Sequence, residues 1–109
     1  MTLLFEVTSK LGKRIRVTKS YWNYIVNVKH PSMRGLEECV KNTLVDPLEV
    51  RRSRRDPSVY MYYRPWRDKL ICVVAKHLND EGFIITAYPT RRMAPGDTVW
   101  RRQPFRRRG

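Results

Sequence analysis

KLICVVAKHLNDEGFIITAYPT, Lys69 to Thr90, reads as a β-hairpin. Leu70 to Leu78 is an apolar run broken by Lys76 and His77, Asn79-Asp80-Glu81-Gly82 supplies turn chemistry, and Phe83 to Thr90 forms the return strand. Strand side chains alternate between faces, so Phe83, Ile85 and Ala87 are expected on one face and Ile84, Thr86, Tyr88 and Thr90 on the other. Leu70, Cys72, Val74 and Lys76 share a face of the first strand, and a cation therefore ends an otherwise apolar row. Hydroxyls beside a cation suit a phosphate, although Thr and Tyr are also ordinary strand formers and Lys76 an ordinary strand-end charge.

Working outward, Val59 to Arg64 is aromatic-rich and strand-like, with Tyr60, Tyr62 and Arg64 on one face. Before it, Leu48 to Arg55 alternates as a strand with Arg51 and Ser53 on one side, and Asp56-Pro57-Ser58 turns between the two. Leu3 to Thr8 and Arg14 to Thr18 make an opening hairpin turning at Gly12. Thr18 stands where a helix N-cap belongs, and Tyr21, Trp22, Ile25 and Val28 give helical spacing as far as Lys29, before Pro31. A second helix is expected from about Ser32, carrying Leu36, Cys39, Val40, Thr43 and Leu44 to Asp46-Pro47. The expected fold is α+β: a twisted antiparallel sheet, made of a four-stranded meander plus the N-terminal hairpin, with two helices packed on one face.

A chain of 109 residues supports one domain with its own core. The expectation is a single domain over residues 1–100 and a basic, disordered tail over 101–109, where RRQPFRRR carries five arginines in eight residues. With 23 Lys+Arg against 10 Asp+Glu the net charge is +13, a field that attracts polyanions, nucleic acid first among them. Cys39 and Cys72 lie far apart with no Cys-x-x-Cys or clustered His, so neither a metal site nor a disulfide framework is indicated. The opening residues carry no cleavage pattern and no apolar run reaches membrane-spanning length, so a cytoplasmic protein without a membrane partner is expected.

Four segments in order, TKSYWNYIVNVKHPSM, VDPLEVRRSRRDPSVYMYY, ICVVAKHLNDEGFIITAYPT and PGDTVW, resemble the phage-type barnase–EndoU–colicin–RelE-like (BECR fold) nucleases over roughly Ile15 to Trp100. The resemblance implies helices on one face of a small twisted sheet and a metal-independent ribonuclease site, free of cofactors, on the other. It places the family's His-Pro at His30 and Pro31, its Arg-x-Ser at Arg51 and Ser53, its strand-closing lysine at Lys76, and its Thr-Ala-Tyr-x-Thr at Thr86, Tyr88 and Thr90. Family members include toxins, so an acidic antitoxin or immunity protein is an implied partner beside RNA.

Metal-free RNA cleavage needs a base for the ribose 2′-hydroxyl, a cation for charge on the phosphorane, and an acid for the leaving 5′-oxygen. Arg51 and Lys76 offer the cations, and Thr86, Ser53 and Thr90 the hydrogen bonds that orient phosphate. Tyr88 and His30 are the proton-transfer candidates, with acid and base unassigned between them. His30 equally fits a helix terminator before proline. Tyr62, Arg64 and Arg91 complete the substrate-binding candidates, Tyr62 and Tyr60 fitting either cross-strand packing or base stacking. The competing reading is a noncatalytic RNA- or ribosome-binding module of the same fold.

Overall fold

A computed structural model describes residues 2–103. It is α+β, with strands β1 (Leu3–Thr8), β2 (Arg14–Thr18), β3 (Glu49–Arg52), β4 (Val59–Trp66), β5 (Lys69–Leu78), β6 (Glu81–Thr90) and β7 (Asp97–Arg101), and helices α1 (Lys19–Tyr24) and α2 (Glu37–Val45). The strands form one seven-stranded sheet in the order β1-β2-β6-β5-β4-β3-β7. All pairings are antiparallel except β2 with β6, which run parallel and join the opening hairpin to the rest of the sheet. Among the described residues no helix is long and apolar enough to cross a membrane.

The core gathers Ile71, Val73 and Ala75 of β5, Tyr62 of β4 and Ile84 and Ala87 of β6 with Trp22, Ile25, Val40 and Leu44. Removing these apolar side chains from water is the main driving force for assembly. A smaller cluster on the opposite face joins Met61, Tyr63 and Cys72, flanked by Leu70, Val74, Tyr88, Met93 and Ala94.

Several sequence expectations need correction. The central hairpin turns on Asn79 and Asp80 alone, and Glu81 and Gly82 already belong to β6. Gly82 pairs with His77, and a Cβ there would overlap the Lys76 carbonyl oxygen, so this glycine serves close backbone approach in a strand. Strict alternation along β6 also fails: Val74 pairs with Thr86 but Ala75 with Ile84, leaving Ile85 as a bulge. Ile84 therefore joins Ala87 on the core face, and Phe83 lies on the face of Thr86 and Tyr88. An extra unpaired residue reverses the phase of everything before it.

Thr18 caps α1 as expected, its hydroxyl accepting from the Tyr21 N–H at 3.1 Å. The first helix then widens into a π-turn over Ile25–Lys29, closed by the His30 N–H on the Ile25 carbonyl at 2.7 Å. The wider turn buries Val26 and leaves Val28 64% exposed, against the expectation for Val28. The second helix begins at Glu37 and not near Ser32, because Pro31–Met33 forms a short 3₁₀ turn and Gly35 takes φ +82. β3 ends at Arg52, short of Arg55, while β4 runs on to Trp66 and turns at Arg67, whose φ is 55.

The strand β7 has no counterpart among the expected elements. Asp97–Arg101 pairs with β3, Trp100 packs against the core, and Arg101 and Arg102 bond Glu49 and Asp46 at 2.9 and 2.6 Å. Arg101 and Arg102, the first residues of the expected tail, are thus held against the sheet, and residues 104–109 lie outside the described ones.

Candidate functional site

On the face opposite the main core, paired residues form rows across the strands, because directly opposed side chains share a face. One row runs Tyr88, Cys72, Tyr63, Glu49 and Arg101. The next runs Thr86, Val74, Met61, Arg51 and Thr98, and beyond it lie Arg16, Phe83, Lys76 and Val59. This lattice decides which candidates meet.

His30 meets Tyr88. The π-turn and 3₁₀ turn deliver the imidazole to the C-terminal half of β6, where the two rings lie 5.2 Å apart between centroids and tilted by 38°. Burial and the neighbouring Lys29 charge hold the His30 pKa below its ordinary 6.5, so the ring is mostly neutral at pH 7. Burial, with Cys72 and Tyr63 close by, pushes the Tyr88 hydroxyl above its ordinary 10 and keeps it protonated. Cys72 beneath it is driven up to about 11 by burial, against which the Tyr88 and Tyr63 hydroxyls pull downward. It is an inert thiol at neutral pH.

Thr86 neighbours Tyr88 on the same strand face, and among the described residues its hydroxyl oxygen is buried without a hydrogen-bond partner. Lys76 stands diagonally across on β5. Among the described residues its ammonium reaches only Asp56, at 3.4 Å. Asp56 itself is a turn residue, accepting from the Ser58 N–H at 3.0 Å and hydroxyl at 2.7 Å.

The other candidates lie apart from this group. Arg51 is on β3, three strands from Thr86 and so about 14 Å away at the usual strand spacing. Its guanidinium donates to Glu49 at 2.6 Å and to the Ala94 carbonyl at 2.9 Å. Ser53 stabilises the β3–β4 turn, accepting from the Arg55 N–H at 3.2 Å. Thr90 bonds the Arg92 backbone at 2.9 Å, and exposed Arg91 pairs with Asp68 at 3.5 Å. Tyr62 and Arg64 project to the core side: Tyr62 is fully buried, and Arg64 binds Asp46 at 3.0 Å. A buried Tyr62 has no face to offer a base, so its place among the substrate-binding candidates gives way to packing. Tyr60 is likewise engaged, stacked on His77 at 3.9 Å.

Sequence reasoning missed Glu49, which is 4% exposed and accepts from Arg51, Arg101 and Thr98. Burial works to raise its pKa, but the hydrogen bonds from Arg51, Arg101 and Thr98 outweigh it and hold the carboxylate ionised. An acidic residue opening a strand otherwise rich in arginine was the available signal. Among the described residues no three His, Cys, Asp or Glu side chains are placed to hold a metal ion. Comparison with protein-family models, with curated proteins and with solved structures returns no match.

Proposed function

We propose that this domain is an endoribonuclease working by 2′-hydroxyl attack without a metal, as its resemblance to the BECR-fold nucleases implies. The observation that carries the reading is His30 held mostly neutral against a protonated Tyr88, at one end of a sheet in a strongly basic chain. A neutral imidazole is a base at pH 7, and a phenol with a raised pKa is a donor. On this reading His30 takes the part of base and Tyr88 that of acid.

In the proposed reaction His30 takes the 2′-hydroxyl proton, and the 2′-oxygen attacks phosphorus. The bond to the 5′-oxygen breaks, and Tyr88 supplies that oxygen with a proton. The products are a 2′,3′-cyclic phosphate and a free 5′-hydroxyl. Thr86, beside Tyr88 on the same face, rotates its hydroxyl out to the scissile phosphate, and Lys76, opposite Phe83 and about 13 Å of strand beyond Tyr88's partner Cys72, turns from the partly exposed Asp56 toward the neighbouring phosphate. Arg51 acts at a distance, holding Glu49 and the Ala94 segment in place. An acidic antitoxin or immunity protein would be drawn to the same basic surface, in the cytoplasm, by the charge that draws RNA.

The end groups test the mechanism. Cleaved RNA should carry 2′,3′-cyclic phosphate and 5′-hydroxyl termini, and 5′-phosphate products would exclude it. The noncatalytic reading has one observation in its favour, that Arg51 and Lys76 both have carboxylate partners. It predicts salt-sensitive binding with the RNA recovered whole.

A further inference from the structure

β2 stays beside β6 only from Arg14 to Arg16, opposite Glu81 to Phe83. Beyond that, β2 ends at Thr18 and enters α1, while β6 continues through its bulge, with the Tyr21 hydroxyl donating to the Ile85 carbonyl at 2.7 Å. The two diverging elements leave a cavity of about 430 Å³ lined by Arg16, Thr18, Ser20, Tyr21, Tyr24 and Phe83, among others. Its volume falls within the ~300–1,000 Å³ of ordinary small-ligand pockets.

Two of its aromatic rings face water: Tyr24 is 45% exposed and Phe83 39%. Phe83 is paired with Arg16 on one side and Lys76 on the other, so a cation flanks the ring on each neighbouring strand. Arg16 is bound to Glu81 at 2.9 Å, but both side chains are about a third exposed or more, and such pairs exchange partners at little cost. Aromatic faces between cations form the arrangement by which proteins stack an unpaired base and hold its phosphates.

We propose that this cavity takes one unstacked nucleobase of single-stranded RNA, stacked on Phe83 and Tyr24, with its flanking phosphates at Arg16 and Lys76. The proposal rests on the RNA reading above and extends it to a substrate class, RNA unpaired beside the cut. Phe83 precedes Tyr88 by five residues, roughly 16 Å of strand before allowing for the bulge. The base held here therefore belongs to a nucleotide near the scissile one, and not to the scissile nucleotide itself. A base within a duplex is already stacked and does not enter.

The test uses the full chain and a 2′-O-methyl oligoribonucleotide containing 2-aminopurine, which 2′-hydroxyl chemistry does not cut. The single strand should bind with quenched 2-aminopurine fluorescence, and the same strand in a duplex should show no added quenching. Phe83→Leu with Tyr24→Leu should weaken single-strand binding by roughly ten- to a hundredfold and abolish the quenching, with the thermal melt confirming a folded protein. Wild-type affinity and quenching in that folded double variant would overturn the subsite, as would equal quenching on duplex. If unmodified RNA stays whole while the quenching depends on the two rings, the catalytic reading falls and the base subsite stands.

Discussion

The His30 imidazole lies against the Tyr88 ring, centroids 5.2 Å apart, although 58 positions separate the two in the chain. The contact exists because a π-turn ends the first helix on the His30 N–H, while β2 diverges and leaves the second half of β6 free to receive it. Removing either side chain should slow RNA cleavage. His30→Ala is expected to lower kcat about 10²- to 10⁴-fold, the usual range for a lost proton-transfer group. Tyr88→Phe should fall toward the lower end of that range, since it keeps the ring and loses only the hydroxyl. Steady-state kinetics on a defined oligomer measures both.

The pH profile follows from the same pair. A base must be unprotonated, so the rate should rise with pH through a midpoint below 6.5 and level off by neutrality. The Tyr88 hydroxyl, pushed above 10 by burial, keeps its proton across the physiological range, so no decline is expected between pH 7 and 9. A profile that falls between pH 7 and 8 would show that the proton donor titrates near neutrality and is therefore not Tyr88.

His77 belongs to a different network, on the core side. Its Nε2 lies 2.9 Å from the Tyr62 hydroxyl, which also bonds Ser9 at 2.9 Å, and burial followed by the Lys13 charge lowers its pKa to about 4. A histidine whose folded pKa lies below its unfolded value stabilises the fold fully above about 6.5. That contribution, on the order of 2–3 kcal/mol, is lost as pH falls from 6.5 toward 4. Tyr62→Phe should cost about 1–2 kcal/mol at pH 7, by leaving Ser9 and His77 short of a partner. Urea melts across that pH range read both effects, and cleavage per folded molecule should not change with Tyr62→Phe.

Glu49 and Arg51 give the converse case. Hydrogen bonds to the arginines and Thr98 hold the Glu49 pKa below 4.5 despite burial, so its contribution is present above that value and lost as pH falls through the lower, folded pKa. Glu49→Ala leaves the mostly buried Arg51 guanidinium without its carboxylate, while exposed Arg101 regains water, and should destabilise by about 2–3 kcal/mol. Arg51→Ala should cost less, because Arg101 and Thr98 still satisfy the carboxylate. Thermal melts separate these from catalysis: if Arg51→Ala melts like wild type yet loses cleavage, Arg51 belongs to the reaction after all.

The two strands of the central hairpin, the N-terminal hairpin and the Thr18 cap were legible because they depend on local spacing and turn chemistry. What escaped depends on contacts distant in sequence. The Ile85 bulge exchanges the faces of Phe83 and Ile84, and no local pattern marks it. β7 reads as a loop until β3 offers its edge, and the parallel register of β2 with β6 has no signature in either strand. For the candidate site, the motifs named His30 and Tyr88, which the fold brings together, with Thr86 one row and Lys76 two rows further along the sheet. They also named Arg51, whose partner Glu49 only tertiary structure reveals, and Tyr62, whose strand faces the core.

The most direct measurement incubates the purified protein, in EDTA, with a labelled single-stranded RNA and with the same sequence made wholly of 2′-deoxynucleotides, beside the His30→Ala protein. Cleavage of the RNA alone, surviving chelation and lost with His30, is the expected result. Cleavage of both polymers, cleavage abolished by EDTA, or RNA left whole by the wild-type chain would contradict it.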